Sequence, residues 1–221
     1  MSSKNKLYKF KENETFKCLI QPETDDVLRQ DHPLKGNWGK EIFCNDNPII
    51  LELGCGKGEY NIALAEKFPQ NNYIGVDIKG ARLWKGAKYA TENKLPNVAF
   101  IRTRIEFIDS FFAENEVSEI WLTFSDPQPH KPRKRLSSHI FLERYSKFLK
   151  PDGIMHLKTD SQLLYESTLE VIKEGNHRLI EADNDIYNSG RVADEITSVR
   201  TFYEKQFLAE GKPITYASWR L

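Results

Sequence analysis

A short apolar run that ends in a glycine-rich loop constrains the fold of this chain more than any other feature. Residues 48–53 read Pro-Ile-Ile-Leu-Glu-Leu, and glycine then stands at Gly54, Gly56 and Gly58. A buried strand that ends at Leu53 can turn directly into a helix there, because glycine places no Cβ against the backbone. The pattern therefore predicts a strand, a tight turn and a helix, with bare backbone facing a ligand.

An acidic residue after the next apolar run favours a nucleotide cofactor as that ligand. Residues 73–76 predict a second strand, and Asp77 follows it, where a carboxylate can accept hydrogen bonds from both hydroxyls of a ribose. A strand-to-helix turn without a ligand would explain the glycines but not this carboxylate. The G-x-G-x-G spacing also differs from the G-x-G-x-x-G pattern typical of NAD sites, which disfavours a dehydrogenase.

The order of apolar and amphipathic segments predicts the fold class. Short apolar runs alternate with amphipathic segments from Ile49 onward, as expected for βαβ units. We predict an α/β fold in which a mostly parallel, doubly wound sheet forms one domain over residues 48–221, preceded by a polar, partly irregular extension, residues 1–47, outside the core sheet. Strands are expected near 49–53, 72–77, 98–102, 118–124, 153–158, 177–181 and 214–220, and helices near 60–68, 81–93, 141–149 and 162–174.

Composition excludes several classes of protein. The 221 residues include 32 acidic and 32 basic ones, which excludes a uniformly basic nucleic-acid-binding surface. The three cysteines form no C-x-x-C pair, so we expect neither a disulfide framework nor a metal site. No apolar stretch approaches the ~20 residues that span a bilayer, and the N-terminal residues lack the apolar segment of a signal peptide. We expect a cytoplasmic protein without a membrane partner, either monomeric or homodimeric.

A carboxylate beside a basic segment marks a second candidate site. Asp126 follows the predicted strand 118–124, and residues 130–135 read His-Lys-Pro-Arg-Lys-Arg. Lysine and arginine contact phosphates, so this segment predicts a polyanionic partner. Ligands of open α/β sheets bind beyond the carboxyl ends of the strands, although Asp160 could also start a helix there. We expect four carboxylates at one cleft: Glu52, Asp77, Asp126 and Asp160.

These segments together resemble the bacterial tRNA (guanine-N7-)-methyltransferases, a family that uses S-adenosylmethionine. The resemblance covers nearly everything from Ile49 to the C-terminus. It rests on the glycine loop with Glu52, on residues 75–80, on Phe124-Ser125-Asp126-Pro127 with its basic segment, on Lys158-Thr159-Asp160 and on Thr201-Phe202-Tyr203-Glu204. It implies a Rossmann-like class I methyltransferase fold with an antiparallel strand near the C-terminus. It also implies methyl transfer to N7 of a guanine in the variable loop of tRNA.

The resemblance further implies roles for individual residues. Asp126 would be catalytic, at the junction of cofactor and guanine. The cofactor would be contacted by Glu52, Gly54, Gly56, Asp77, Arg104, Glu106 and Asp126. The substrate would be contacted by His130, Lys131, Asp160, Thr201 and Glu204.

Three features depart from the usual pattern of the family. Arg104 stands where an aspartate is common, so the adenine contact there would pass to the backbone or to Glu106. Ser125 and Gln128 replace the Pro and the Trp of the common Pro-Asp-Pro-Trp sequence. The basic stretch is also shorter, so either His130 or Lys131 would take the position of the family's lysine.

The chemistry at guanine N7 needs positioning rather than a base. N7 carries an in-plane lone pair and no proton, so it can attack a methyl group without prior deprotonation. A carboxylate such as Asp126 can orient the guanine and favour the positive charge that develops on the ring. Two alternatives remain: a methyltransferase for small molecules or proteins on the same fold, which the basic segment disfavours, and a noncatalytic RNA-binding protein, which the intact acidic positions disfavour.

Overall fold

A single mixed sheet organises the structure. The computed structural model describes residues 3–28 and 30–221, and eight strands in this part of the chain form one sheet in the order β1-β4-β3-β2-β5-β6-β8-β7. The strands are β1 (Leu19–Ile20), β2 (Ile49–Leu53), β3 (Asn72–Asp77), β4 (Val98–Arg102), β5 (Val117–Thr123), β6 (Leu149–Thr159), β7 (Arg178–Asp183) and β8 (Thr215–Arg220).

The pairing of the strands confirms the predicted fold class. Strands β1 to β6 pair in parallel, whereas β8 lies antiparallel between β6 and β7. The predicted bounds of β2, β3 and β4 are confirmed. Strand β6 begins earlier than expected, because Leu149 already pairs with Val117 across a register shift. The same pairing ends the preceding helix before the predicted residue 149.

Helices cover both faces of the sheet, as a doubly wound fold requires. They are α1 (Ser3–Asn13), α2 (Thr24–Leu28), α3 (Glu59–Lys67), α4 (Gly80–Glu92), α5 (His139–Tyr145), α6 (Gln162–Glu174), α7 (Asp194–Thr197) and α8 (Phe202–Ala209). Neighbouring strand residues such as Ile50 and Leu51 point to opposite faces, where two apolar clusters lie. Leu64 and Leu83 of α3 and α4 pack on one face, and Leu164 of α6 packs on the other.

The N-terminal segment takes part in the sheet and the core, contrary to the expectation that residues 1–47 lie outside the sheet. Strand β1 pairs with β4 at the sheet edge, and Trp38 is fully buried with its indole N–H donated to the Phe111 carbonyl oxygen at 2.8 Å. A two-residue strand is too short to show a periodic pattern, so the polar sequence around it gave no warning.

None of the helices within residues 3–28 and 30–221 is both long and apolar enough to cross a membrane.

Candidate active site

The glycine loop follows β2 with three left-handed residues. Gly54, Gly56 and Gly58 have φ of 81°, 59° and 72°. A Cβ on Gly58 would stand 2.5 Å from the Phe100 ring, whereas a Cβ on Gly56 would meet no atom within 4 Å. Gly58 therefore allows α3 to pack closely on the sheet, and Gly56 leaves bare backbone facing open space.

Asp77 ties this loop to the start of α4. One carboxylate oxygen accepts a hydrogen bond from the Gly56 backbone N–H at 3.0 Å, and the other accepts from the Lys79 N–H at 2.7 Å. Because Asp77 ends β3 next to β2, the carboxylate lies beside the glycine loop at the carboxyl edge of the sheet. The two strand-end motifs of the sequence thus meet in space.

Glu52 is a buried acid with one free acceptor. One carboxylate oxygen accepts from the Thr123 hydroxyl, and the other is buried without a hydrogen-bond partner in the described residues. Burial raises the pKa of Glu52 to about 8, opposed by the hydrogen bond from Thr123 and by the nearby backbone N–H of Asn61. Such a site suits a ligand that brings a cation or a donor, because either would satisfy the buried oxygen.

Two adjoining cavities open at this edge of the sheet. A small pocket of about 90 Å³ lies against Glu52, Gly54, Gly56 and Thr201. A larger cleft of about 880 Å³ shares four lining residues with it, namely Gly54, Arg82, Phe124 and Tyr203. The larger cleft brings together Asp77, Arg104, Glu106, Asp126 and Asp160. Most of the residues predicted to bind cofactor or substrate therefore line one continuous site.

Asp126 sits on a strained loop at the end of β5. Phe124 and Gln128 have φ of 48° and 44°, a region that side chains other than glycine seldom adopt. Asp126 is exposed, and its carboxylate accepts from the Gln128 N–H at 2.9 Å. Strain of this kind persists only where the surroundings impose it, and it is concentrated at functional loops.

The basic segment divides into three parts with different environments. Arg135 is buried, and its Nε donates to the Pro127 carbonyl oxygen at 2.9 Å, directly beside Asp126. Arg133 and Lys134 are exposed and line the large cleft. His130 and Lys131 are exposed but do not line the cleft. Only part of this segment therefore faces the site, and Arg135 holds the loop in place.

Arg104 and Glu106 form an ion pair on the wall of the cleft. The guanidinium and the carboxylate are 3.1 Å apart, and about half of each side chain is exposed. The charge at Arg104 is thus partly balanced by its neighbour. The carboxylate of Glu106 stays near the position at which an acidic residue is common in the resembled family.

The remaining predicted substrate residues differ in burial, and not all of them line a cavity. Asp160 lines the cleft, and Ser161, not Asp160, caps α6. Thr201 caps α8 at the small pocket. Glu204 is fully buried and its carboxylate lies 2.7 Å from the Lys158 ammonium group, so its side chain does not reach the cleft.

Several residues of the site were missed by the sequence reasoning. Thr123 partners Glu52, and Arg82 lines both cavities, as does Tyr203 of the resembled segment 201–204. A hydroxyl at the end of a buried strand was the available signal for Thr123. The lysine at position 158 was a signal for a buried ion pair, because a charge within the apolar strand β6 must find a buried partner.

The described residues contain no group of three or more histidine, cysteine, aspartate or glutamate side chains that could hold a metal ion.

Known proteins resemble this chain in sequence and in fold. Residues 46–217 match a family model described as "Putative methyltransferase". A protein of Christiangramia forsetii named tRNA (guanine-N(7)-)-methyltransferase is 52% identical over 223 residues, covering 100% of both chains. Proteins of the same name from Bacteroides thetaiotaomicron and Brevibacillus brevis are 50% and 37% identical, covering 99% and 87% of this chain and 86% and 92% of theirs.

Solved structures share the fold at low sequence identity. The 16S rRNA methyltransferase KamB superposes with a TM-score of 0.66 at 13% identity, covering 88% of this chain and 97% of its own. An antibiotic-related methyltransferase superposes with a TM-score of 0.64 at 16% identity, covering 87% of this chain and 97% of its own. The sheet and its helices are therefore those of a methyltransferase fold.

Proposed function

Because the chain belongs to the tRNA (guanine-N(7)-)-methyltransferase family, we propose that it transfers a methyl group from S-adenosylmethionine to N7 of a guanine in tRNA. One observation carries this proposal beyond the family name. A single cleft is lined by Asp77 near the glycine loop, by the exposed Asp126, and by the cations Arg133 and Lys134. It thus offers acceptors for a nucleoside, a carboxylate for a base and positive charge for phosphates.

The residues around the glycine loop fit the cofactor. The unpartnered buried oxygen of Glu52 can accept from the cofactor's amino group, and the open space at Gly56 leaves room beside the backbone. Bound S-adenosylmethionine supplies a methyl group on a positively charged sulfur. We assign the ribose hydroxyls to Asp77, whose carboxylate oxygens retain free lone pairs beyond the two backbone bonds. Gly54, Arg104, Glu106 and Asp126 would complete the cofactor contacts.

Asp126 would orient the guanine. Gln128 uses one of its acceptor positions, and a carboxylate has about four. The others can accept from the guanine N1–H and amino group, which holds N7 toward the cofactor and stabilises the cationic ring. Asp160 lines the same cleft and would assist the placement of the base.

The outer surface would hold the RNA backbone. Arg133 and Lys134 at the cleft would contact phosphates next to the target, whereas His130 and Lys131 would contact the backbone farther out. A guanine in the variable loop, as the family implies, exposes its edge more readily than a base in a helix. We place the reaction in the cytoplasm, consistent with three free cysteines among the described residues.

Labelled methyl transfer tests the proposal directly. The purified protein is incubated with methyl-labelled S-adenosylmethionine and unmodified tRNA, and the product is cleaved by chemistry selective for N7-methylguanine. We expect one labelled position, and a loss of roughly 100-fold or more in Asp126→Asn. The exposed carboxylate Asp152, which does not line either cavity, offers Asp152→Asn as a matched control. Label on another atom, or near-normal turnover by Asp126→Asn, would contradict the assignment.

A further inference from the structure

Lys158 is a buried lysine whose three donors are all engaged. Its side chain is fully buried in β6. The ammonium group lies 2.7 Å from a Glu204 carboxylate oxygen, and it donates to the carbonyl oxygens of Ile196 at 2.7 Å and Val199 at 3.2 Å. A lysine has three N–H donors, so no hydrogen-bonding capacity remains for a ligand. Lys158 thus binds the chain segment that precedes α8 to the sheet.

Both carboxylate oxygens of Glu204 also accept hydrogen bonds from protein groups. The oxygen that contacts Lys158 also accepts from the Tyr187 hydroxyl at 2.6 Å. Its other oxygen accepts from the Thr201 backbone N–H at 3.3 Å, and the Thr201 hydroxyl accepts from the Glu204 N–H, forming a capping box. Glu204 therefore links Lys158 to the first turn of α8.

This buried pair sets a position more than it adds stability. Burial lowers the pKa of Lys158, which the Glu204 carboxylate opposes. Burying two charges carries a large desolvation penalty, so such a pair often contributes little net stability over an apolar pair of the same volume. Its hydrogen bonds nevertheless have strict geometry, and they fix where the bonded elements lie.

The elements so fixed form a wall of the candidate site. Thr201 lines the small pocket beside Glu52, and Tyr203 lines both the pocket and the cleft. The Phe202 backbone N–H donates to a Glu59 carboxylate oxygen at 3.0 Å, which attaches the same turn to α3. If the first turn of α8 moved, this wall of the pocket would move with it.

We propose that Lys158 is a positioning residue: through Glu204 it holds the first turn of α8 against the pocket, so that Thr201 and Tyr203 complete the site. Glu204 acts inside the protein, and it affects ligands through the position of α8. The proposal rests on the proposed function only for the identity of the bound cofactor.

The test compares Lys158→Met with a control at the other end of α8. Lys212→Met removes an exposed ion pair to Glu210, 2.9 Å apart in the structure, and leaves the buried contacts in place. Cofactor binding is measured by calorimetry with S-adenosylmethionine. Tryptic cleavage after Arg191 and Arg200, which are exposed on the held segment, reports on its attachment. Neither measurement needs RNA, so both report on Lys158 even if methyl transfer to tRNA is not observed.

We expect Lys158→Met to weaken cofactor binding by roughly 10- to 100-fold, because a displaced wall loses contacts that depend on exact positioning. Tryptic cleavage of the segment should become faster, and Lys212→Met should match the unmodified protein in both measurements. Should Lys158→Met not fold, Glu204→Gln keeps the size of the side chain and an acceptor for Lys158, and several-fold weaker binding with faster cleavage is expected. A folded Lys158→Met, or a Glu204→Gln, with unchanged binding and cleavage would overturn the proposal. A rise confined to the KM for tRNA in Glu204→Gln would also overturn it, because it would indicate direct RNA contact.

Discussion

The burial of Glu52 controls whether its carboxyl group is ionised. Its folded-state pKa is raised to about 8 from the usual 4.5, because burial disfavours the ionised form. The folded protein therefore retains a proton that the unfolded chain releases. Stability from this group is present below pH 4.5 and is lost as the pH rises toward 8.

Cofactor binding should favour the ionised form of Glu52, so the affinity for the cofactor should depend on pH. A cationic ligand beside Glu52 favours the carboxylate, so binding releases a proton below a pH of about 8. We expect affinity for S-adenosylmethionine to rise with pH up to that value and then to level off. Calorimetry in two buffers with different ionisation enthalpies measures the released proton. Glu52→Gln should bind more weakly and without proton release, whereas an unchanged slope in this variant would assign the titration to another group.

The two glycines of the loop should separate stability from ligand binding. Gly56 and Gly58 both have positive φ, so alanine at either costs about 1–2 kcal/mol of unfolding free energy. Gly58→Ala also forces a Cβ to 2.5 Å from the Phe100 ring, which adds roughly 1–3 kcal/mol. The Cβ of Gly56→Ala meets no protein atom, so this variant has only the cost of its positive φ. Because that Cβ enters the space beside the loop, Gly56→Ala should also weaken cofactor binding. Urea unfolding and calorimetry check both effects, and equal losses of stability would show that the Phe100 ring gives way.

At the scale of elements, strand ends were predictable and inward-facing contacts were not. Asp77 and Asp126 were expected at one cleft and both line the large cleft, because each follows a strand whose apolar run is visible in the sequence. Glu204 was expected to contact the substrate and Arg135 to contact phosphates, but both side chains are buried, and their burial depends on which element packs over them. A local pattern does not contain that information, since the partner residues lie far apart in the chain.

The buried and the exposed arginines of the basic segment should have different effects on catalysis and on tRNA binding. Arg135→Met removes the bond to the Pro127 carbonyl oxygen, so it should lower kcat while leaving the salt dependence of tRNA affinity unchanged. Replacing both Arg133 and Lys134 with Gln should flatten that salt dependence by about 0.7–0.9 in log–log slope for each phosphate that the protein no longer neutralises. Filter binding across a salt series measures the slope. A flatter slope in Arg135→Met would mean that this arginine binds phosphate itself.

At the scale of the whole molecule, charge is distributed unevenly over a chain whose net charge is zero. The formal net charge is zero, but the large cleft is lined by more basic than acidic side chains. The cations are Lys79, Arg82, Arg104, Arg133, Lys134 and Arg144, and the acids are Asp77, Glu106, Asp126 and Asp160. Arg144 is paired with Asp109, which does not line the cleft, so the local excess of positive charge is small. Net charge alone does not show this excess, because only the fold brings these residues together.

The N-terminal segment raises the question of where the folding unit begins. The sequence predicts a domain over residues 48–221, but Trp38 is fully buried and packs beside Phe112, with ring centroids 5.5 Å apart. Removing a large buried aromatic side chain costs about 3–5 kcal/mol, a large share of the ~5–15 kcal/mol that stabilises a domain. Loss of β1 would also uncover the edge of β4.

Two truncations test this dependence. We expect residues 14–221, which lack α1 but keep β1 and Trp38, to unfold cooperatively at a somewhat lower temperature than the full chain. Residues 48–221 should show no cooperative transition by calorimetry and no binding of S-adenosylmethionine, because the core face around Phe112 loses its cover. A cooperative transition of residues 48–221 close to that of the full chain would show that the core closes without Trp38. Residues 1–47 would then be an accessory to the methyltransferase domain, and the boundary predicted from the order of apolar and amphipathic segments would be confirmed.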